Sequence, residues 1–264
     1  FLIYFAALGR QLELEAGTKS VILGRVVLSV CAVAIVLLIG MGWSYAFVCS
    51  LVAVQVLVTA DRHTRKQPLP LLANLPVIAA VGALAVYMAA GGGVGSTTQG
   101  TSADIFSTTL RLLPYAVGSP LAGVETLAAQ PFGYQAAYAF GAVSLLIATW
   151  AFFRRLRAGL SARSLFPVYL LAYGFLTAVS VCVARADAGP AGVMASRYYM
   201  DVMLFLVAVV WLWADEIRLA VGSRKTWHAA FLGVFCLVIV TGQVLTARTE
   251  WQIAPYRALA FDEM

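Results

Sequence analysis

The chain has 264 residues, of which 62% are hydrophobic and 11% are charged. Soluble proteins carry about 25% charged residues, and a soluble core of this length could not bury so much apolar surface. A lipid bilayer can solvate that surface instead, so the composition predicts an integral membrane protein. The net charge of +6 does not indicate nucleic acid as a partner, because the basic residues lie in short loops between apolar runs.

Seven apolar runs have lengths that suit a hydrocarbon core of roughly 30 Å. A shorter run at Phe1–Leu8 predicts the end of a partial first span, which indicates that the chain is a fragment of a longer protein. Gly42-Trp43-Ser44 separates the first two complete spans and predicts a tight hairpin with Trp43 at interface depth. The expected fold is all-α, a polytopic transmembrane helix bundle that forms one integral membrane domain over 1–264. The seven runs are 26–41, 45–60, 69–90, 134–152, 166–184, 199–214 and 228–246.

The basic residues predict how the bundle is oriented. Thirteen of the 18 Lys and Arg residues lie in one set of alternating loops, and the other five lie in the second set. Short loops rich in Lys and Arg stay in the cytoplasm. We therefore expect the 91–133 loop, the 185–198 loop and the C-terminal tail to face outward. The charges all fall at or beyond the ends of the predicted spans, which disfavours a transporter or channel.

The outward loop at 91–133 is too long to be only a connection. Its glycine-rich start, GGGVGSTTQGTS, lacks the Lys-Ser/Thr of a phosphate-binding loop and predicts a flexible linker. Asp104 is then expected to cap a short interfacial or re-entrant helix, whose apolar stripe is interrupted by Pro114. The loop's ionisable residues are Asp104, Arg111 and Glu125. Two alternatives stay open: a lid that only packs on the bundle, and a lid that also contacts substrate.

The densest polar cluster lies at Ser196–Asp201, directly before an apolar run. Ser196 is expected to cap the following helix, so that Arg197 lies beside a helix N-terminus and completes an anion site. An arginine suits a phosphate because its planar fork donates two parallel hydrogen bonds. The alternative is that Arg197 pairs with Asp201 or reaches lipid headgroups, while the neighbouring tyrosines form an aromatic belt.

Four segments, LRLLPYAVGSPLAG, FFRRLR, ARADAGPAG and ASRYYMD, lie in the second half of the chain. In this order they resemble a group of uncharacterised bacterial polytopic membrane proteins with Ser-Arg-Tyr before a late helix. An Arg-Tyr at a similar place occurs in glycosyltransferases of the GT-C type, which use lipid-linked sugars to build or decorate surface polysaccharide. The resemblance implies that Arg197 and Tyr198 face an outward cavity near a polyprenyl-phosphate donor, in the bacterial cytoplasmic (inner) membrane. GT-C enzymes generally carry their catalytic carboxylate in the first outward loop, and no residue here matches it, so the catalytic residue is unassigned.

The first functional hypothesis is a glycosyltransferase-like protein of surface polysaccharide or glycolipid assembly. Arginines would hold the lipid phosphate, and a carboxylate would activate the acceptor hydroxyl. The alternatives are a transporter or channel and a non-catalytic membrane subunit. Expected partners are membrane lipid and a polyprenyl-phosphate-linked sugar, the oligomeric state is left open, and neither a metal nor another cofactor is expected. The substrate-binding candidates are Arg111, Arg185, Arg197 and Tyr198, and the weaker candidates are Asp104, Glu125, Asp187 and Asp201.

Overall fold

The computed structural model describes residues 2–13, 19–38, 41–64, 71–90, 102–160, 162–194, 198–219 and 223–262. The described residues form eleven α-helices joined in places by 3-10 turns, and none of them forms a strand, which confirms the all-α fold. The helices are α1 Leu2–Glu13, α2 Lys19–Leu38, α3 Met41–Thr64, α4 Leu75–Ala89, α5 Ser102–Gly118, α6 Val124–Ala128, α7 Gly133–Ala158, α8 Ala162–Ala184, α9 Gly189–Val193, α10 Tyr199–Leu219 and α11 Ser223–Asp262. The 3-10 turns are Leu71–Asn74, Ser119–Leu121 and Ala186–Ala188.

Five of the described helices, α2, α3, α7, α8 and α11, are long and apolar enough to cross a membrane. Many apolar side chains of α2 and α11 are exposed, which suits a surface that faces lipid. These features are those of a multi-pass membrane protein. Two further predicted spans overlap α4, which has only 15 residues, and α10, whose last turns carry charged residues. The five segments are Ser20–Leu38, Trp43–Thr64, Gly133–Ala158, Ser164–Ala184 and Lys225–Gln252.

Contacts between helices define two ends of the bundle. At the first, Trp43 at the start of α3 and Tyr173 of α8 both donate hydrogen bonds to Asp201 at the start of α10. We name this the Asp201 end. At the opposite end, Arg62 near the end of α3 donates to the carbonyl oxygen of Leu12 near the end of α1. We name this the Arg62 end.

Helices that are neighbours in sequence run antiparallel. α4 returns along α3, because the Gln55 amide donates to Asn74 toward the Arg62 end while the Tyr45 hydroxyl donates to Met88 Sδ at the other. α11 returns along α10, and at their junction Trp213 Nε1 donates to the carbonyl oxygen of His228 at 3.1 Å. This alternation places the starts of α3 and α10 at the same end of the bundle.

An aromatic cluster fills the bundle between its two ends. Phe5 of α1, Phe47 of α3, and Tyr169 and Tyr173 of α8 are fully buried. Phe5 stacks on Tyr169, with ring centroids 5.2 Å apart and planes 8° from parallel. Lipid tails are as apolar as these side chains, so close packing of the rings contributes more to helix association here than removal from water does.

The start of α3 differs from the hairpin predicted at Gly42-Trp43-Ser44. That prediction was wrong, because α3 already begins at Met41. The Ser44 hydroxyl donates to the carbonyl oxygen of Val36 at 2.9 Å, so it satisfies a polar group in the last turn of α2. Trp43 therefore projects from a regular helix into the bundle, where its indole has a protein partner.

One charge also lies deeper than predicted. Arg25 falls within the Ser20–Leu38 segment of α2, so the expectation that all charges lie at or beyond the span ends was wrong for this residue. The predicted span began at position 26, because a single arginine beside an apolar run is usually a flanking residue. Here α1 and α3 contact this part of α2 and bury the side chain.

Helix α5 is longer than the sequence predicted and is part of the bundle. It begins two residues before Asp104 and continues through Pro114 to Gly118, so the interruption expected at the proline was wrong. Proline removes one backbone hydrogen bond, but Pro114 is buried against α7. A Cβ on Gly141 of α7 would collide with the Pro114 carbonyl oxygen, and one on Gly118 would collide with that of Ala137. α5 and α7 therefore touch at the backbone, while residues 91–101 lie outside the described residues.

Candidate functional site

Asp201 is held by side chains from two other helices. Its Oδ2 accepts a hydrogen bond from Trp43 Nε1 at 2.6 Å, and its Oδ1 accepts one from the Tyr173 hydroxyl at 3.0 Å. Hydrogen bonds to an ionised acceptor are shorter than neutral ones and contribute roughly 1.5–3 kcal/mol each. The carboxylate thus joins α3, α8 and α10 at one point.

A second contact connects this carboxylate to the end of α8. Arg185 Nε donates to the Tyr198 hydroxyl at 3.2 Å, and the Tyr198 and Trp43 rings lie 6.1 Å apart between centroids. We define the polar network as Trp43, Tyr173, Arg185, Tyr198 and Asp201. All except the buried Tyr173 are half-buried, as is typical of groups at the rim of a bundle.

A cavity of about 190 Å³ opens beside the polar network. At about 30 Å³ per molecule it would hold about six waters, or a group the size of one sugar ring. Trp43 and Tyr198 supply aromatic faces, and Thr177 and Ser180 supply hydroxyls. Asp201 and Arg185 do not line the cavity, so they act on it through Trp43 and Tyr198. The lining residues are Trp43, Thr177, Ser180, Val181, Ala184 and Tyr198.

A larger, apolar cavity lies further along the same helices. Its volume is about 420 Å³, and side chains of α3, α7 and α8 form most of its wall. Val54 and Leu57 of α3 and Phe175 of α8 are among the lining residues. A cavity with this lining suits an alkyl or prenyl chain, because its walls offer almost no polar contact. The two cavities therefore differ in polarity along one pair of helices.

The structure brings some of the predicted site residues together. Arg185, Tyr198 and Asp201 belong to the polar network, whereas Arg197 and its predicted cap Ser196 lie outside the described residues. Only one of the three arginines predicted to share a phosphate is therefore placed in the network.

Four other candidates are exposed and are not members of the polar network. Asp104 and Arg111 lie on α5, and Asp104 is in its first turn rather than at its cap. Glu125 lies in the first turn of α6, and Asp187 lies in the 3-10 turn Ala186–Ala188. The described residues contain no group of three or more His, Cys, Asp or Glu side chains placed to share a metal ion.

The sequence analysis missed Trp43 and Tyr173 as members of the site. Trp43 was assigned to the membrane interface, where tryptophan is common. Tyr173 lies in an apolar run and was not singled out. A signal was available, since a phenolic hydroxyl inside a membrane span needs a hydrogen-bond partner. That requirement shows that a partner exists without identifying it as Asp201.

No family model, curated protein or solved structure matches this chain. Its function is therefore inferred from the side chains themselves.

Proposed function

We propose that the chain is a membrane-embedded glycosyltransferase-like protein of surface polysaccharide or glycolipid assembly, which holds a polyprenyl-phosphate-linked sugar. The observation that carries the proposal is the hydrogen bond from Arg185 to Tyr198 beside an aromatic-walled polar cavity. The apolar cavity further along α3 and α8 suits the chain of the same ligand. A lipid-linked sugar combines a ring, a phosphate and a prenyl chain, and it therefore needs these three environments in one groove.

The proposal includes a topology in a bacterial inner membrane. α4 and α10 cross the bilayer in addition to the five long apolar helices, which makes seven complete spans with α1 as the end of another. The basic residues favour a cytoplasmic position for the Arg62 end, because Arg25, Arg62, Arg154 and Arg218 all belong to the basic set of loops. The Asp201 end, the 91–133 loop with its lid and the C-terminal tail then face outward.

Arg185 is the proposed phosphate ligand. Its Nε is used by Tyr198, whereas its two Nη groups have no hydrogen-bond partner among the described residues. A guanidinium held through one nitrogen can still present a planar edge to a phosphate. Negative charge grows on the lipid phosphate as the bond from its oxygen to the anomeric carbon breaks, so a fixed arginine favours that step. Arg197 stays the second proposed ligand.

The acceptor proton needs a base other than Asp201. Both oxygens of Asp201 already accept a hydrogen bond, and the residue does not line the cavity. We therefore assign it as a positioning residue that fixes Trp43 and Tyr173. Asp187 is the exposed carboxylate that follows Arg185 most closely in the chain, and it is the proposed proton acceptor as the acceptor oxygen bonds to the sugar.

Packing between the two ends favours a transferase over a transporter or channel. A transported solute would have to pass between the Asp201 end and the Arg62 end. The fully buried rings of Phe5, Phe47 and Tyr169 occupy that region and contact one another. Close-packed rings of this kind suit a site that opens at one end only.

Equilibrium binding of a short-chain polyprenyl-phosphate-linked hexose to the protein in nanodiscs tests the proposal. Arg185→Gln should weaken binding about tenfold or more, because a charge-assisted phosphate contact is lost. Arg248→Gln is the matched control, since Arg248 is an exposed arginine on α11 near the same end. Equal affinity of both variants and the native protein would refute the assignment of Arg185.

Two further measurements separate the functional classes. Hexose transfer to a polysaccharide acceptor, lost in Arg185→Gln while the unfolding temperature is unchanged, supports an enzyme. Binding without any transfer would favour the non-catalytic membrane subunit. Net flux of the lipid-linked sugar or of a small solute in proteoliposomes would favour a transporter and overturn the proposal.

A further inference from the structure

Arg25 is a buried charge without a partner in the described part of the chain. Its residue is only 3% exposed, although arginine is almost never fully buried unless it is paired. Nη1 is buried and makes no hydrogen bond, and the guanidinium forms no ion pair with any described acid. A buried guanidinium without a counter-charge is strongly unfavourable. An anion from outside the protein would remove that penalty.

A second arginine lies beside it. Arg62 of α3 reaches the carbonyl oxygen of Leu12 through Nη2, and its positive charge acts on Arg25 by repulsion. The Gln11 side chain packs over Gly24, and its Oε1 is also buried without a partner. Rotating that amide toward Arg25 would satisfy one donor, but a neutral oxygen cannot offset two positive charges. The junction of α1, α2 and α3 thus has an excess of buried positive charge.

We infer that Arg25 and Arg62 form a binding site for a phosphate-type anion at the Arg62 end of the bundle. Two guanidinium groups on adjacent helices present the planar donor edges that bind phosphate oxygens. Arg25 lies five residues inside the segment that begins at Ser20. At 1.5 Å per residue it is roughly 8 Å below the start of that segment, the depth at which lipid phosphates meet the acyl chains.

A lipid headgroup and free phosphate share this chemistry, and the surroundings favour the lipid. Leu23, Val26 and Val27 of α2 flank Arg25 in sequence and are exposed, so acyl chains could cover them while the headgroup phosphate meets the arginine. Basic pockets between membrane helices on the cytoplasmic side are known to take anionic headgroups. The site lies opposite the polar network, so it stands or falls independently of the glycosyltransferase proposal.

Native mass spectrometry of the detergent-purified chain with phosphatidylglycerol or phosphatidylcholine tests the inference. Phosphatidylglycerol should bind in preference, and Arg25→Gln and Arg62→Gln should each lower its apparent affinity about tenfold or more. Arg154→Gln is the control, because Arg154 belongs to the same predicted face, is 53% exposed and is already paired with Glu216 at 3.1 Å. A similar loss in all three variants, or no loss in Arg25→Gln, would overturn the inference.

The source of the anion is read from thermal unfolding in detergent. A rise in unfolding temperature with phosphatidylglycerol but not with inorganic phosphate identifies a headgroup site. A rise with inorganic phosphate as well identifies a general phosphate site. No rise with either, or an equal rise in the Arg25→Gln variant, contradicts the anion site.

A hydrophobic substitution guards against simple misfolding and against an internal counter-charge. Without lipid, Arg25→Met should unfold at a temperature about 2–4 °C higher than the native chain, because an uncompensated charge is removed. With phosphatidylglycerol the order should reverse, since the native chain alone gains a ligand. An acidic side chain such as Glu13 or Glu15 would produce a different result if it neutralised Arg25. Arg25→Met would then lower the unfolding temperature in both conditions, and the inference would fail.

Discussion

The Asp201 end and the Arg62 end place a charge among apolar helices in opposite ways. At the Asp201 end the negative charge is met by two neutral donors of the protein, Trp43 and Tyr173. At the Arg62 end the Arg25 guanidinium has no partner among the described residues and lies beside another positive charge. A charge that the chain satisfies itself serves to fix helices, whereas an unsatisfied one indicates a partner from outside.

Removing the carboxylate at the Asp201 end should produce the largest change in stability. Asp201→Ala leaves the Trp43 indole N–H and the Tyr173 hydroxyl without an acceptor, and each unsatisfied donor costs about 1–3 kcal/mol. We expect a loss of roughly 2–4 kcal/mol in unfolding free energy, measured by denaturant unfolding in micelles with tryptophan fluorescence. Asp187→Ala, at an exposed acid nearby in sequence, should change it by less than about 0.5 kcal/mol. Equal effects of the two substitutions would show that Asp201 does not hold the helices together.

A smaller loss is expected when only one donor is removed. Trp43→Phe keeps an aromatic ring in the wall of the cavity but deletes the N–H that reaches Asp201 Oδ2. The expected loss is about 1–2 kcal/mol, since the carboxylate keeps Tyr173 as a partner. Trp227→Phe serves as the control, because Trp227 is 77% exposed. If the two substitutions had the same effect, Trp43 would be an interface residue, as the sequence suggested.

The sequence could predict the features that depend on short windows of residues. Apolar runs over 166–184 and 228–246 coincide with α8 and α11 because hydropathy over about 20 residues decides whether a helix can cross a membrane. Contacts between distant residues leave no such local pattern. Trp43 and Asp201 are 158 positions apart, and each alone is typical of a helix end at the interface.

Arg25 and Pro114 show the same limit at single positions. A lone arginine next to an apolar run has the pattern of a flanking residue, and its burial depends on how α1 and α3 pack against α2. Proline within a helical pattern predicts a helix end, but α5 continues because α7 offers Gly141 at the point of contact. Both outcomes were decided by a helix that is remote in sequence, so neither could be obtained from the local pattern.

The smallest effect is expected for a charge that is neither buried nor unpaired. Arg218 ends α10 at the Arg62 end, forms a 3.4 Å ion pair with Asp215, and its side chain is 79% exposed. An exposed pair of this type contributes about 0–1 kcal/mol because water and salt screen it. Arg218→Gln should therefore leave both the unfolding temperature and the binding of phosphatidylglycerol unchanged, although it removes the same charge as Arg25→Gln. If it altered lipid binding as strongly, the net charge of this face would control binding, and the burial of Arg25 would have no special role.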